Sequence, residues 1–71
     1  MKRTILLRTI ARAANRTGAE WRLVRDRGDH EVWSLDGVQV VVPRHREMNE
    51  MTALRIFRHL EGRLGPRWWR R

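Results

Sequence analysis

The dipeptide Asp36-Gly37 lies between two stretches whose composition is typical of β-strands, His30–Leu35 and 38–42. Asp-Gly is strongly favoured in two-residue hairpin loops, because both loop positions can require a positive φ angle. The sequence therefore predicts a β-hairpin whose loop consists of these two residues. That loop determines the pairing across the hairpin: Leu35 with Val38, Trp33 with Val40, and His30 with Pro43.

Side chains alternate between the two faces of a strand, so the predicted pairing also assigns each residue to a face. The first face is strongly apolar and consists of Trp33, Leu35, Val38, Val40 and Val42. The second face is mixed and consists of His30, Val32, Ser34, Gln39, Val41 and Pro43. We expect helices to cover the apolar face and to leave the face of His30 open.

Two segments have the periodicity of amphipathic helices, one on each side of the predicted strands. The first is 4–17, where apolar residues recur every three or four positions and Gly18 provides a natural end. The second begins after Asn49, a typical N-cap, and extends to about Glu61. A further strand is expected at 21–25, but its facing is open, because the length of the turn at 26–29 sets its register.

The order α-β-β-β-α predicts an α+β domain: a three-stranded antiparallel sheet with both helices packed on one face. We assign 1–66 of the 71 residues to this single domain and 67–71 to a basic, tryptophan-rich C-terminal tail. The chain has no cysteine, so neither a disulfide nor a thiolate metal site supports the small core. We expect Trp68 and Trp69 to dock on the domain or to contact a partner, with stacking on bases as the alternative.

Charge gives the first indication of a partner. Sixteen Lys and Arg against eight Asp and Glu give a formal charge of +8. Release of phosphate counterions is the main force in nucleic-acid binding, so this excess indicates a polyanion such as RNA. The longest apolar run, 40–42, is far too short to cross a bilayer, and no signal peptide is recognisable. We expect a cytoplasmic protein without a membrane partner.

His30 is the first candidate for chemistry on RNA. Cleavage without a metal needs a base for the 2′-hydroxyl proton and an acid for the departing 5′-oxygen. An imidazole, with an unperturbed pKa of about 6.5, can do either. If strand pairing continues past Pro43, His45 lies diagonally from His30 and is a second catalytic candidate, with phosphate binding as the alternative. The acidic residues lack metal-ligand spacing, so we expect no metal, no cofactor and no small-molecule ligand.

Two sets of basic residues are expected to bind RNA, and one of them should lie around this histidine. Arginine suits phosphate, because its planar fork can donate two hydrogen bonds at once. One set should lie at the same end of the sheet as His30: Arg25, Arg27, Arg44 and Arg46. A second set precedes or lies on the first helix: Lys2, Arg3, Arg8 and Arg12. For both sets, a plain solvated surface is the alternative.

Five short motifs resemble the HicA toxins of bacterial toxin–antitoxin pairs. They are Gly18, Leu23-Val24-Arg25, Gly28-Asp29-His30, Val42-Pro43-Arg44-His45 and Glu47-Met48-Asn49. The resemblance extends over about 4–62 and implies a fold similar to the double-stranded-RNA-binding domain. It also implies an endoribonuclease that cleaves messenger RNA, with His30 as the catalytic histidine and a HicB-like antitoxin that covers the site. Asp29 stands where the family most often has serine, and its carboxylate could either steady a protonated His30 or repel a phosphate.

Two other classes of protein remain open. A non-catalytic RNA-binding module on the same fold would use His30 only to contact the RNA backbone. A ribosome-associated structural protein would also carry this charge, although the hairpin motif does not favour it. Cleavage of RNA in the presence of EDTA, and its loss in His30→Ala, separates the ribonuclease from the binding module.

Overall fold

The computed structural model describes residues 1–70 and has the element order expected from the sequence. The elements are helix α1 (Arg3–Thr17), strands β1 (Trp21–Asp26), β2 (His30–Leu35) and β3 (Val38–Pro43), helices α2 (Glu50–His59) and α3 (Glu61–Leu64), and a 3₁₀ turn (Trp68–Arg70). The strands form one antiparallel sheet in the order β1-β2-β3. The predicted α+β class and α-β-β-β-α layout are confirmed, and α3 and the 3₁₀ turn are additions to it.

The hairpin has the predicted register. Its pairs include Leu35 with Val38, Trp33 with Val40, and His30 with Pro43. Asp36 and Gly37 have φ angles of 49° and 90°, as a type I′ loop requires. The Asp36 carboxylate also accepts hydrogen bonds from the backbone N–H of Glu20 at 2.7 Å and from Nε of Arg63 at 2.6 Å. These two contacts, the first above all, hold the pKa of Asp36 below its usual value.

β1 joins the sheet through a β-bulge. The ladder shifts between Leu23 and Arg25, so Val24 is an extra residue without a partner on β2. The bulge explains why the alternation of this strand is incomplete in the sequence, and it settles the facing that the sequence left open. Trp21 lies on the covered face, where its ring stacks on that of Trp33 with 4.8 Å between centroids and 14° between planes.

The core lies between the helices and the apolar face of the sheet. Its buried side chains include Leu6, Ile10, Ala13 and Ala14 from α1, Leu35, Val40 and Val42 from the hairpin, and Ala53, Ile56 and Phe57 from α2. Asn49 caps α2 as predicted, accepting hydrogen bonds from the N–H groups of Met51 and Thr52 at 2.7 and 3.3 Å. α2 ends at His59, two residues before the predicted end at about Glu61, and α3 continues the helical region up to Gly65.

The C-terminal tail docks on the domain. Trp68 is only 3% exposed, and its Nε1 donates to the carbonyl of Phe57 at 2.8 Å. Its ring meets that of Phe57 edge-on, and Trp69 stacks on the same phenyl ring with 5.8 Å between centroids. Docking is therefore the alternative that the structure selects for these two indoles. Arg71, the last residue of the predicted tail, lies outside the described residues. None of the helices formed by residues 1–70 is long and apolar enough to span a bilayer.

Candidate nucleic-acid interface

His30 is the first residue of β2. It lies at the end of the sheet where the β1–β2 turn is located. The turn is closed by a hydrogen bond from the N–H of Arg27 to the carbonyl of His30 at 2.9 Å, and Gly28 adopts a φ of 76°. Pairing of His30 with Pro43 puts the imidazole on the face opposite the helices. There, 42% of the His30 side chain is exposed. The imidazole is therefore accessible from solvent while its backbone is held in the sheet.

Asp29 holds one nitrogen of this ring. Nδ1 of His30 lies 2.8 Å from Oδ1 of Asp29. A carboxylate only accepts hydrogen bonds, so Nδ1 carries a proton, and Nε2 of the neutral ring keeps a free lone pair. No other hydrogen bond to the imidazole is formed by residues 1–70. Nε2 can therefore accept a proton from a ligand, and can donate one once the ring is protonated.

A buried carboxylate lies next to His30 in sequence but on the covered face. The side chain of Glu31 is only 10% exposed. It forms an ion pair with Arg3, its Oε2 lies 3.1 Å from Nη2 of Arg44, and its Oε1 accepts from Nε1 of Trp33 at 2.9 Å. Burying a lone carboxylate costs several kcal/mol, so these partners are what allow it to remain there. Together they connect the start of α1, β2 and the segment after β3.

The predicted RNA-binding residues are gathered at this end of the molecule. A surface depression of about 390 Å³ is lined by Lys2, Arg3, Thr4, Arg44 and Arg46. Arg25 pairs with Val32 just after the bulge, and Arg27 lies in the turn before His30. The structure thus brings both predicted sets together around the ends of β2 and β3, except for Arg8 and Arg12, which lie further along α1.

Two of these cations are already engaged by the protein itself. Besides pairing with Glu31, Arg3 donates from Nε to the carbonyl of Pro43 at 3.1 Å. Arg44 pairs with both Asp26 and Glu31. These contacts give Arg3 and Arg44 a structural role whether or not they also contact RNA.

The other four cations of the interface are exposed. They are Lys2, Arg25, Arg27 and Arg46. Within residues 1–70, none of their side chains forms an ion pair. They are therefore the members of the predicted set that are most available to phosphates.

His45 lies in the exposed loop after β3 and makes no hydrogen bond to the described part of the chain. The ladder continues one step beyond β3, since the N–H of Arg44 donates to the carbonyl of Asp29 at 3.0 Å. The chain then pairs with the N-terminal segment instead, where the N–H of Arg3 donates to the carbonyl of Arg46 at 3.0 Å. The pairing expected to bring His45 towards His30 thus stops one residue short, and its catalytic role stays a prediction.

The contacts of Glu31 are the part of this site that sequence reasoning missed. The signal was present, because Glu31 precedes Trp33 by two residues and alternation therefore places both on the covered face. A carboxylate at a covered position requires cationic or N–H partners. Which arginines supply them is a matter of tertiary structure, since Arg3 is 28 residues away along the chain.

No protein-family profile, no curated protein and no solved structure matches the chain.

Proposed function

We propose that this protein is a ribonuclease of the HicA toxin type, which cleaves messenger RNA without a metal and uses His30 as general acid and base. The observation that carries the proposal is the accessible imidazole of His30, whose Nδ1 is held by Asp29 and whose Nε2 is free to exchange a proton. The five HicA-like motifs of the sequence and the exposed cations around the histidine support the same assignment.

In the proposed reaction, Nε2 of neutral His30 takes the proton of a ribose 2′-hydroxyl. The 2′-oxygen attacks the neighbouring phosphorus, the bond to the 5′-oxygen breaks, and the imidazolium of His30 gives the proton it took up to that oxygen. The products are a 2′,3′-cyclic phosphate and a 5′-hydroxyl. Asp29 is a positioning residue, because it fixes the tautomer and stabilises the imidazolium that forms. A general base of this kind contributes about 10²–10⁴-fold in rate.

The exposed cations would bind the RNA backbone around the scissile phosphate. Arg27 belongs to the turn that leads into His30, and Arg25 lies on the adjacent strand. A HicB-like antitoxin would neutralise the enzyme by covering this surface with acidic and apolar groups. Charge complementarity of this kind speeds encounter and selects the partner.

The test is an RNA cleavage assay in the presence of EDTA. We expect the wild-type protein to cleave, and His30→Ala to lose at least about 100-fold in rate. Asn15→Ala, which changes an exposed polar residue of α1, serves as the matched control and should cleave normally. Cleavage that survives in His30→Ala would contradict the proposal. RNA that is bound but left intact by the wild type would favour the non-catalytic RNA-binding module.

The same assay decides the role of His45. If His45 is the second catalytic group, His45→Ala should lose about 100-fold in rate while RNA binding is retained. If it only binds phosphate, the affinity for RNA should fall while the rate at saturating RNA stays the same.

A further inference from the structure

Within residues 1–70 the outer edge of β3 is not paired with any strand, because β3 neighbours only β2 in the sheet. In an antiparallel ladder closed by a two-residue loop, every second residue points its N–H and C=O away from the partner strand. On β3 these residues are Gln39, Val41 and Pro43, the last of which has a C=O but no N–H. Two side chains confirm the direction: Nε2 of His59 donates to the carbonyl of Gln39, and Nε of Arg3 donates to the carbonyl of Pro43, both at 3.1 Å.

Val41 lies between these two protected carbonyls. The N–H and C=O of Val41 point away from β2 and have no hydrogen-bond partner within residues 1–70. The residue is 56% exposed. The N–H of Gln39 likewise has no partner in the described chain. These groups are spaced along about 7 Å of strand, as two residues of rise require. They are the donors and the acceptor that an added strand uses when it extends a sheet.

A groove of about 400 Å³ runs beside this edge, between β3 and α2. Its lining residues are Gln39, Val40, Val41, Pro43, Thr52, Arg55, Ile56 and His59. Apolar groups supply most of this surface. A strand added to β3 would direct alternate side chains into the groove, and apolar side chains would fit there.

Charge selects the kind of occupant. Arg55 and Arg58 are exposed on α2, and neither forms an ion pair within residues 1–70. A second copy of this chain at the same edge would bring these cations and another +8 charge into proximity. A partner with carboxylates would instead be attracted to them.

We propose that the free edge of β3 and the adjacent groove bind an extended, acidic peptide segment of a partner protein, which adds a fourth strand to the sheet. Its backbone bonds to Val41 and to the N–H of Gln39, its apolar side chains enter the groove, and its carboxylates contact Arg55, which lines the groove. The surface does not include His30, so this proposal can be tested independently of the ribonuclease proposal.

Hydrogen exchange on the intact protein tests the backbone pairing. The probe is a ten-residue peptide in which every second residue is serine and the positions between them are valine and glutamate in turn, so that both kinds of side chain face the groove. We expect it to slow exchange of the amides of Gln39 and Val41 at least about fivefold, a change equivalent to one hydrogen bond. The amides of Val40 and Val42 already face β2, so their exchange should change little. Protection that is uniform along β3, or no protection at all at millimolar peptide, would overturn the proposal.

Matched variants test the chemistry of the occupant. A peptide with N-methyl groups on alternate residues should bind at least about fivefold more weakly, because it lacks the pairing N–H groups. Arg55→Glu should weaken binding of the unmodified peptide by a similar factor. Arg8→Glu, an equal change of charge on the exposed side of α1, should weaken it clearly less. Equal weakening by the two variants would mean that only net charge attracts the peptide, and would overturn the proposal.

The same hydrogen-exchange measurement distinguishes the acidic peptide from two other occupants. Protection of Gln39 and Val41 that grows with protein concentration in the absence of peptide would indicate that two copies of this chain pair at β3. Protection of the same amides by a short RNA would indicate a nucleic-acid surface. Either result would overturn the proposal.

Discussion

Three side-chain contacts converge on Glu31 at the end of the sheet that holds His30. Its carboxylate bonds to Arg3, Arg44 and Trp33, although it is nearly buried. Each arginine also contacts a second group, Arg3 the end of β3 and Arg44 the carboxylate of Asp26. Neutralising Glu31 would leave two guanidinium groups without their shared counterion.

Glu31→Gln should therefore lower the free energy of unfolding by about 3 kcal/mol, as expected when one partner of a buried ion pair is removed. Urea denaturation gives this value. The matched control is Glu20→Gln, which removes an exposed carboxylate 4.0 Å from Arg22 and should change stability by less than about 0.5 kcal/mol. Equal losses in the two variants would show that the Glu31 contacts contribute no more than a surface pair.

Asp36 should make the stability depend on pH. The backbone N–H of Glu20 and the guanidinium of Arg63 lower the pKa of Asp36 from its usual 3.8. A group with a lowered pKa stabilises the fold above its unfolded pKa, and this contribution disappears as the pH falls through the folded pKa. The difference in unfolding free energy between the wild type and Asp36→Asn should thus be constant above about pH 5 and shrink below about pH 4. Denaturation curves at several pH values measure it, and a difference independent of pH would contradict the assignment.

At the scale of secondary-structure elements, the features that depend only on residues close together in the sequence were predicted correctly. The loop at Asp36-Gly37 needs only its own two residues to adopt positive φ, and Asn49 needs only the N–H groups of the next turn. The bulge at Val24 was not predictable from the sequence. It allows Trp21 to lie on the covered face while the β1–β2 turn, several residues away, keeps its own length. Docking of Trp68 could be named only as one alternative, since its site is formed by tertiary contacts with α1 and α2.

Trp68 attaches the C-terminal segment firmly to α2, although it belongs to a basic tail. Trp68→Ala should lower the free energy of unfolding by about 3–5 kcal/mol, because it removes a buried ring and leaves the carbonyl of Phe57 without its indole donor. Arg70→Ala, in the same 3₁₀ turn but exposed, should change it by less than about 0.5 kcal/mol. Thermal denaturation of the two variants compares them, and a small effect of Trp68→Ala would mean that the tail docks only weakly.

At the scale of the whole molecule, the positions of the charged residues should matter more for RNA binding than the net charge. The sequence predicts which cations lie around His30, because their order along the strands fixes the end of the sheet to which they belong. It does not distinguish Arg44, which is engaged by Asp26 and Glu31, from Arg27, whose side chain has no ion-pair partner in residues 1–70. That distinction depends on side-chain contacts between segments far apart in sequence.

The salt dependence of RNA binding should reveal the difference. A plot of log K against log salt concentration has a slope of about −0.7 to −0.9 per phosphate contacted. Arg27→Ala should make the slope shallower by about that amount. Arg63→Ala, which removes a cation already paired with Asp36, should leave it unchanged. Equal effects of the two variants on the slope would show that RNA responds to overall charge alone.

Because Val24 is one residue more than its ladder needs, β1 can lose a residue more easily than it can gain one. Deleting Val24 would leave every other pair with β2 as it is and would keep the two stacked indoles of Trp21 and Trp33 together. An insertion would require a second irregularity, or would turn Trp21 towards solvent. Length variation in this strand should therefore be tolerated in one direction only.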